Sequence, residues 1–144
     1  LQARVGRPAA YRVVPNGVDL RRHSQAPRME DGRVLFVGRL AAPKRPDLVL
    51  EAFSTLRARR IRANLELVGD GPLRPAIERQ IIERGLQNVV RLVGHSDSVP
   101  SRLAAAHCLV LASDYESFPI TILEAMASGV PVVATRVGGI PEAV

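Results

Sequence analysis

Two groups of residues in this sequence have the types and spacing needed to bind a ligand that carries both phosphate and hydroxyl groups. The first group is Gly38, Arg39 and Lys44, which follow the apolar run 33–37. A glycine lets backbone approach a ligand closely, and a guanidinium beside an ammonium group favours an anion, especially where a helix begins. Lys44 is the single lysine among 20 basic residues. A surface turn with ordinary solvated charges is the alternative interpretation.

The second group consists of two carboxylates, Glu116 and Glu124, which are separated by seven residues. The residues around Glu124 are mostly apolar and predict a helix that is buried nearly all round, where an unpaired carboxylate is costly. A ligand with two hydroxyl donors, such as a ribose, would satisfy Glu124; an ion pair with an arginine is the alternative. Glu116 precedes the helix and can face the same cleft, or it can be a capping or solvated carboxylate.

Other polar positions carry weaker signals. The segments 69–72 and 94–97 are most simply turns, and His95 has no positioned carboxylate or nucleophile that would make a catalytic triad. Cys108 begins an apolar run, which predicts a buried and unreactive thiol. Because it is the single cysteine, a disulfide framework within the chain and a multi-cysteine metal site are excluded. This cysteine usage fits a reducing compartment such as the cytoplasm.

The elements that must position these residues are apolar runs of strand length, each ending at turn residues. Helical patterns lie between the runs, with Pro46 and Asp47 in a first turn and glycines at two helix ends. Alternating strands and helices predict an α/β fold with a mostly parallel sheet, whose ligand lies beyond the carboxyl ends of the strands. The predicted strands are 33–37, 64–68, 89–93, 108–112 and 131–134, and the predicted helices begin near 46, 73, 100, 119 and 140.

The composition of the 144 residues excludes several other classes of protein. Hydrophobic residues make up 47% and charged residues 24%, which is typical of a globular domain and not of a disordered chain. No apolar run approaches the length of a membrane helix, and Leu1–Tyr11 lacks the apolar region of a signal peptide. The net charge is +6, and all but one of the basic residues are arginines. Aromatic residues make up only 3%, with no tryptophan. This pattern predicts solvated surface charge and not a nucleic-acid platform.

The order of the motifs from about Tyr11 to Val144 closely resembles the C-terminal domain of family-4 (group 1) glycosyltransferases with the GT-B fold. The resemblance implies a Rossmann-like open parallel sheet with helices on both faces. It also implies an interdomain linker at 1–28 and a nucleotide-sugar-binding domain at 29–144 that is incomplete at its C-terminus. The matching motifs are Asn16-Gly17-Val18-Asp19, Val37-Gly38-Arg39-Leu40 with Lys44, Val68-Gly69-Asp70-Gly71-Pro72, Gly94, the Glu116/Glu124 pair, the run 124–135 and Gly138-Gly139-Ile140-Pro141-Glu142.

The resemblance also implies a role for individual residues. Glu116 becomes the catalytic residue beside the transferred sugar, and Glu124 binds the ribose hydroxyls. Many relatives have Gly-Phe-Gly after the first glutamate, but here Pro119 has no N–H to donate, so the amides of the next two residues must serve. The remaining implied contacts are Gly38, Arg39, Lys44, Ile120 and Thr121 with the donor diphosphate, Ser117 and Phe118 with the sugar, and Gly94, His95, Ser96 and Asp97 with the base.

The activity implied by the resemblance is transfer of a hexose-type sugar from a nucleoside-diphosphate sugar, with retention of configuration and without a metal or cofactor. An N-terminal acceptor-binding domain would lie outside this chain, so the chain alone is expected to be inactive. A cytoplasmic location is expected, with peripheral association of the full-length enzyme at the inner face of the membrane left open. A non-catalytic sugar-nucleotide-binding module of the same fold is the alternative. The base, the sugar and the acceptor are left unspecified.

Overall fold

The computed structural model describes residues 14–23 and 32–144. Most of the linker predicted for 1–28 lies outside these residues. In its described part, a 3₁₀ turn spans Leu20–Arg22, and the Asp19 carboxylate caps it by accepting a hydrogen bond from the amide of Arg21. The Arg21 guanidinium also donates to this carboxylate, and together these bonds lower the pKa of Asp19 below its usual value.

A five-stranded parallel sheet forms the centre of the domain, with the strands in the order β3-β2-β1-β4-β5. The chain therefore adds β2 and β3 on one side of β1 and then returns to add β4 on the other side. This reversal is the topological switch of a Rossmann-like sheet, and the predicted fold class is confirmed. The strands are β1 (Arg33–Val37), β2 (Asn64–Val68), β3 (Val90–Gly94), β4 (Cys108–Leu111) and β5 (Val132–Ala134).

Helices cover both faces of the sheet because the strands alternate their apolar side chains between two cores. Phe36 and Leu65 face one core with the first two helices, while Leu35 and Leu109 face a second core with the other three. The helices are α1 (Pro46–Ala58), α2 (Arg74–Glu83), α3 (Val99–Ala104), α4 (Ile120–Ala127) and α5 (Ile140–Ala143).

The predicted elements are all present, with small differences at their ends. β1 and β2 have the predicted bounds, whereas β3 is shifted by one residue because Gly94 continues the ladder opposite Val68. The helix predicted to begin near 100 spans Val99–Ala104 and ends there, since the chain must turn to enter β4. No helix in the described part of the chain is long and apolar enough to cross a bilayer.

The prediction that α4 is buried nearly all round is wrong. Ile122 and Ala125 are fully buried against the second core, but Ile120 and Met126 are 47% and 51% exposed. The helix packs on the sheet along one face only, as surface helices do. Its apolar composition therefore did not indicate burial on every side.

Candidate functional site

The candidate site lies where β1 and β4 run side by side. Val34 pairs with Cys108 and Leu35 with Leu109, although β2 and β3 intervene in the sequence. The loops that follow these two strands lead to helices on opposite faces of the sheet, α1 and α4, and a crevice is expected where they part at the carboxyl edge. Ligands of open α/β sheets bind at such a point.

Lys44 and Glu116 meet across this crevice. The Lys44 Nζ atom donates to Glu116 Oε1 at 2.5 Å, and the Ser113 hydroxyl donates to the same oxygen at 2.7 Å. Glu116 is buried, whereas a third of the Lys44 side chain remains exposed. The carboxylate is therefore neither solvated nor a helix cap, because the capping position of α4 is Pro119. A buried carboxylate held by one cation and one hydroxyl is electrostatically satisfied without a ligand.

Backbone and side-chain contacts hold the two loops together beside this pair. The amide of Asp114 donates to the carbonyl of Pro43 at 2.9 Å. The Arg45 guanidinium lies between Asp47 and Asp114, and hydrogen bonds to these carboxylates raise its pKa, Asp47 having the larger effect. Arg45 also has φ of 48°, a left-handed conformation that ends the 3₁₀ turn Ala42–Lys44 and starts α1. The position of Lys44 is thus fixed by its neighbours on both sides.

Gly138 and Gly139 form the back wall of the site. The Gly139 amide donates to the carbonyl of Glu116 at 2.9 Å. A Cβ atom on Gly138 would collide with the Glu116 carbonyl oxygen, and one on Gly139 would collide with that of Ser117. Gly138 also has φ of 52°. The predicted close backbone approach therefore occurs, and it is an approach to the loop that carries Glu116.

Arg39 lies on the other side of β1, at a pocket of about 400 Å³. Its side chain is exposed and has no hydrogen bond or ion pair with any residue in 14–23 or 32–144. The floor of this pocket is made by Gly38 and Gly69, whose backbones touch: the Gly38 amide bonds to Val68, and a Cβ on Gly69 would collide with the Gly38 carbonyl. The two cations therefore differ. Lys44 is paired with the Glu116 carboxylate, whereas the Arg39 side chain has no partner among the described residues.

Glu124 lines a separate pocket of about 310 Å³, between the start of α4 and the segment 17–23. Its carboxylate is partly exposed and has no ion pair or hydrogen bond with the described residues, so the alternative of an arginine partner is not seen there. Ile120 lines the same pocket. Ile120 and Thr121 occupy the first turn of α4, where backbone amides lack acceptors within the helix.

The two residues predicted to lie near the sugar, Ser117 and Phe118, directly follow Glu116. Ser117 is exposed, and Phe118 is partly buried with its ring against Gly139. The carbonyl of Phe118 accepts a hydrogen bond from the Asn16 amide group at 3.1 Å. The segment 14–23 is therefore attached to the start of α4, and His23 reaches Ser128 at its end.

The loop after β3 separates the two pockets. His95 and Ser96 line the larger pocket beside Arg39, whereas Asp97 lines the smaller one beside Glu124. His95 Nε2 is 3.7 Å from Asp97 Oδ1, but both side chains are almost fully exposed, so this contact adds little. The loop is thus placed to touch a ligand that extends from one pocket to the other.

Two further observations concern Cys108 and the residues that could hold a metal ion. Cys108 is partly exposed and not fully buried, although burial does raise the pKa of its thiol. Within the described ranges, no group of three histidine, cysteine, aspartate or glutamate side chains is arranged to hold a metal ion.

Sequence reasoning missed two residues that support the site. Ser113 is 1% exposed and binds Glu116, while its carbonyl accepts a hydrogen bond from the Thr135 hydroxyl at 2.6 Å. A small polar residue at the end of an apolar strand, three positions before the glutamate, was the available signal. The second is Arg102 on α3, whose Nε atom donates to the Ser96 hydroxyl in the loop after β3 at 3.2 Å. As one of 19 arginines it carried no signal in the sequence.

Comparison with known proteins gives a consistent picture. Residues 19–144 match the family described as glycosyl transferases group 1. The chain is 37% identical over 111 residues to N-acetyl-alpha-D-glucosaminyl L-malate synthase of Bacillus anthracis and 38% identical over 109 residues to alpha-D-kanosaminyltransferase of Streptomyces kanamyceticus. These matches cover 77% and 74% of this chain but only 29% and 28% of the two relatives.

Among solved structures, the Anabaena protein Alr3699/HepE in complex with UDP and glucose is similar to this chain. The TM-score is 0.85 and the identity 28%, over 99% of this chain and 42% of the Anabaena chain. The fold described above is therefore shared with part of a larger protein.

Proposed function

Since this chain belongs to the group 1 glycosyl transferases, we propose that it binds the nucleoside-diphosphate end of a sugar donor at the carboxyl edge of its sheet. The observation that carries the proposal is the arrangement around the β1–β4 switch. Arg39 and Lys44 supply positive charge there, Glu116 lies between the two loops, and Glu124 faces a pocket of its own. The complex of the Anabaena relative with UDP and glucose supports this class of ligand.

In this proposal the donor lies across the loop after β3. The diphosphate is bound by Arg39, by Lys44 and by the first-turn amides of Ile120 and Thr121. Gly38 does not donate to it as predicted, because its amide already donates to the Val68 carbonyl at 2.9 Å, and its part is to leave room for the ligand. A helix N-terminus favours negative charge, so the start of α4 adds to the effect of the two cations. The ribose hydroxyls donate to the Glu124 carboxylate. The base contacts the segment 94–97, which separates the two pockets.

Glu116 is the proposed catalytic residue, and Ser117 and Phe118 lie beside the sugar with it. During transfer the bond between sugar C1 and the diphosphate oxygen breaks, a bond from C1 to an acceptor oxygen forms, and the acceptor hydroxyl releases its proton to water. The sugar ring becomes positively charged as the first bond breaks, and a carboxylate close by stabilises that charge. The leaving diphosphate gains a negative charge, which Arg39 and Lys44 stabilise.

We further propose that the sugar is a hexose, that its configuration is retained, and that no metal or cofactor takes part. The acceptor would be bound by a domain that precedes this one, as expected from the share of the relatives that this chain spans. Sugar transfer by a protein containing both parts would distinguish an enzyme from a binding module. The configuration of its product at C1, read by NMR, would test retention.

Calorimetric titration of this chain with UDP, GDP and ADP tests the donor-binding part directly. We expect one of the three to bind with one-to-one stoichiometry and to raise the melting temperature, because a ligand stabilises the state that binds it. If none of the three binds and none raises the melting temperature, the proposed donor site is wrong.

A further inference from the structure

Glu66 is a buried charged residue in the middle of strand β2, away from the crevice. It lies on β2, is 8% exposed, and faces the same side of the sheet as α3. A carboxylate in this position is costly unless cations and hydrogen bonds compensate for lost water. Arg102 Nη1 on α3 donates to Glu66 Oε2 at 2.9 Å, and Arg33 Nη1 on β1 lies 3.8 Å from its other oxygen.

The same Arg102 guanidinium reaches the loop after β3. Its Nε atom donates to the Ser96 hydroxyl at 3.2 Å, while Nη1 is occupied by Glu66. A guanidinium is planar and rigid, so fixing one nitrogen on a buried carboxylate also fixes the direction of the other. Ser96 is therefore attached, through Arg102, to strand β2, which lies between β3 and β1.

Further hydrogen bonds connect Ser96 to the rest of the loop and to the start of α3. The Ser96 and Ser98 hydroxyls are 2.9 Å apart, and the Ser98 amide donates to the Ser96 hydroxyl at 3.3 Å. The Ser98 carbonyl then accepts from the Ser101 hydroxyl and from the Arg102 amide. Loop 95–98 is thus held at its middle by one guanidinium and at its end by the first turn of α3.

We propose that Arg102 is a positioning residue that sets how strongly the donor base is bound, acting through Ser96. This inference rests on the proposed function, in which the segment 94–97 contacts the base while Arg39 and Lys44 bind the diphosphate. Arg102 lines neither of the pockets beside that loop. Removing Arg102 therefore lowers the affinity for ligands that reach the loop. The affinity for ligands that reach only Arg39 and Lys44 does not change.

Arg102→Lys is the decisive variant, because one ammonium group can pair with Glu66 but cannot also keep the fixed second bond to Ser96. Affinity is measured by calorimetry for inorganic pyrophosphate and for whichever of UDP, GDP and ADP the wild-type chain binds. We expect nucleoside-diphosphate binding to weaken about 3- to 10-fold, the effect of losing one hydrogen bond, with pyrophosphate binding unchanged. Arg79→Lys, an exposed change on α2, is the control and should leave both affinities unchanged.

Ser96→Ala breaks the same link from its other end, since it removes the acceptor and leaves the Glu66–Arg102 pair intact. The double variant should bind no more weakly than the weaker single one, because both changes break the same link. Equal losses for pyrophosphate and nucleoside diphosphate, or wild-type affinity in both single variants, would overturn the role of Arg102. Failure of the wild-type chain to bind any of the three nucleotides would instead overturn the proposed function itself.

Discussion

The ammonium group of Lys44 lies 2.5 Å from the carboxylate of Glu116, although the two residues are 72 positions apart in the sequence. The residue assigned to the diphosphate and the residue assigned to the sugar are therefore in direct contact. The lysine neutralises a buried carboxylate. Bound diphosphate would share that lysine with Glu116, so the charge of the donor and the environment of Glu116 are coupled.

Replacing Lys44 by alanine tests its proposed contact with the donor. A hydrogen bond to a charged group contributes about 1.5–3 kcal/mol, so we expect nucleoside-diphosphate affinity to fall about 10- to 150-fold. Titration calorimetry gives the affinity. Arg57→Ala is the control, because it removes one exposed positive charge from α1 at the same cost in net charge. Equal losses in the two variants would mean that Lys44 acts only through the overall charge.

Glu124→Gln should lower the affinity for ribonucleotides more than the affinity for their 2′-deoxy analogues. The amide replaces a carboxylate that can accept from two hydroxyls, and the deoxy ligand has only one of them to lose. The affinities of both ligands are compared in the variant and in Glu83→Gln, an exposed change on α2. Because the Glu124 carboxylate has no hydrogen bond or ion pair with the described residues, the melting temperature of the variant should equal that of the wild-type chain. A lowered melting temperature with equal ligand losses would indicate a structural role.

Ser113→Ala should destabilise the folded chain. The variant removes the hydroxyl that donates to buried Glu116, and a hydrogen bond to a charged group contributes about 1.5–3 kcal/mol to the free energy of unfolding. Urea denaturation measures this quantity. Ser101→Ala, on the exposed side of α3, should change it much less. Wild-type stability of Ser113→Ala would show that Lys44 alone satisfies the carboxylate.

Gly138→Ala and Gly85→Ala form a matched pair. Both glycines have positive φ, 52° and 64°, so alanine is strained by about 1–2 kcal/mol at either position. A Cβ has nothing within 4 Å at Gly85, but at Gly138 it collides with the Glu116 carbonyl. We expect Gly138→Ala alone to lose nucleoside-diphosphate affinity, because the loop carrying Glu116 must move. Similar stability and affinity in both variants would mean that this loop shifts without consequence.

Alkylation of Cys108 should be slow in the native chain near neutral pH. Burial raises the pKa of this thiol, and the thiolate is the reactive form. The raised pKa also means that the folded state keeps its proton where the unfolded state has lost it. The contribution of the protonated Cys108 thiol to the free energy of unfolding is therefore complete below the pKa of the unfolded chain. It declines as the pH rises above that value. Iodoacetamide labelling at a series of pH values around the thiol pKa, followed by mass spectrometry, measures the alkylation rate. In the native chain this rate should rise at a higher pH than in the denatured chain.

The sequence predicted the strands and the polar strand ends well, because both are local patterns. β1 and β2 have the predicted bounds, since each is an apolar run that stops at a glycine. The contact of Lys44 with Glu116 could not be predicted from spacing. It depends on β4 pairing with β1 and not with β3, which is a property of strand order. For the same reason, the link from Glu66 through Arg102 to Ser96 is visible only in three dimensions.

The strand order also determines when the pieces of the site can form during synthesis. β1 finds its partner β2 early, and most of the core around Phe36 and Leu65 comes from α1, α2 and the first three strands. A nascent chain of that length can already bury a core, since domains begin to fold as their segments emerge. Lys44 then still faces water. It gains its carboxylate partner only after β4 has emerged, and the wall behind that partner is completed last of all, by Gly138.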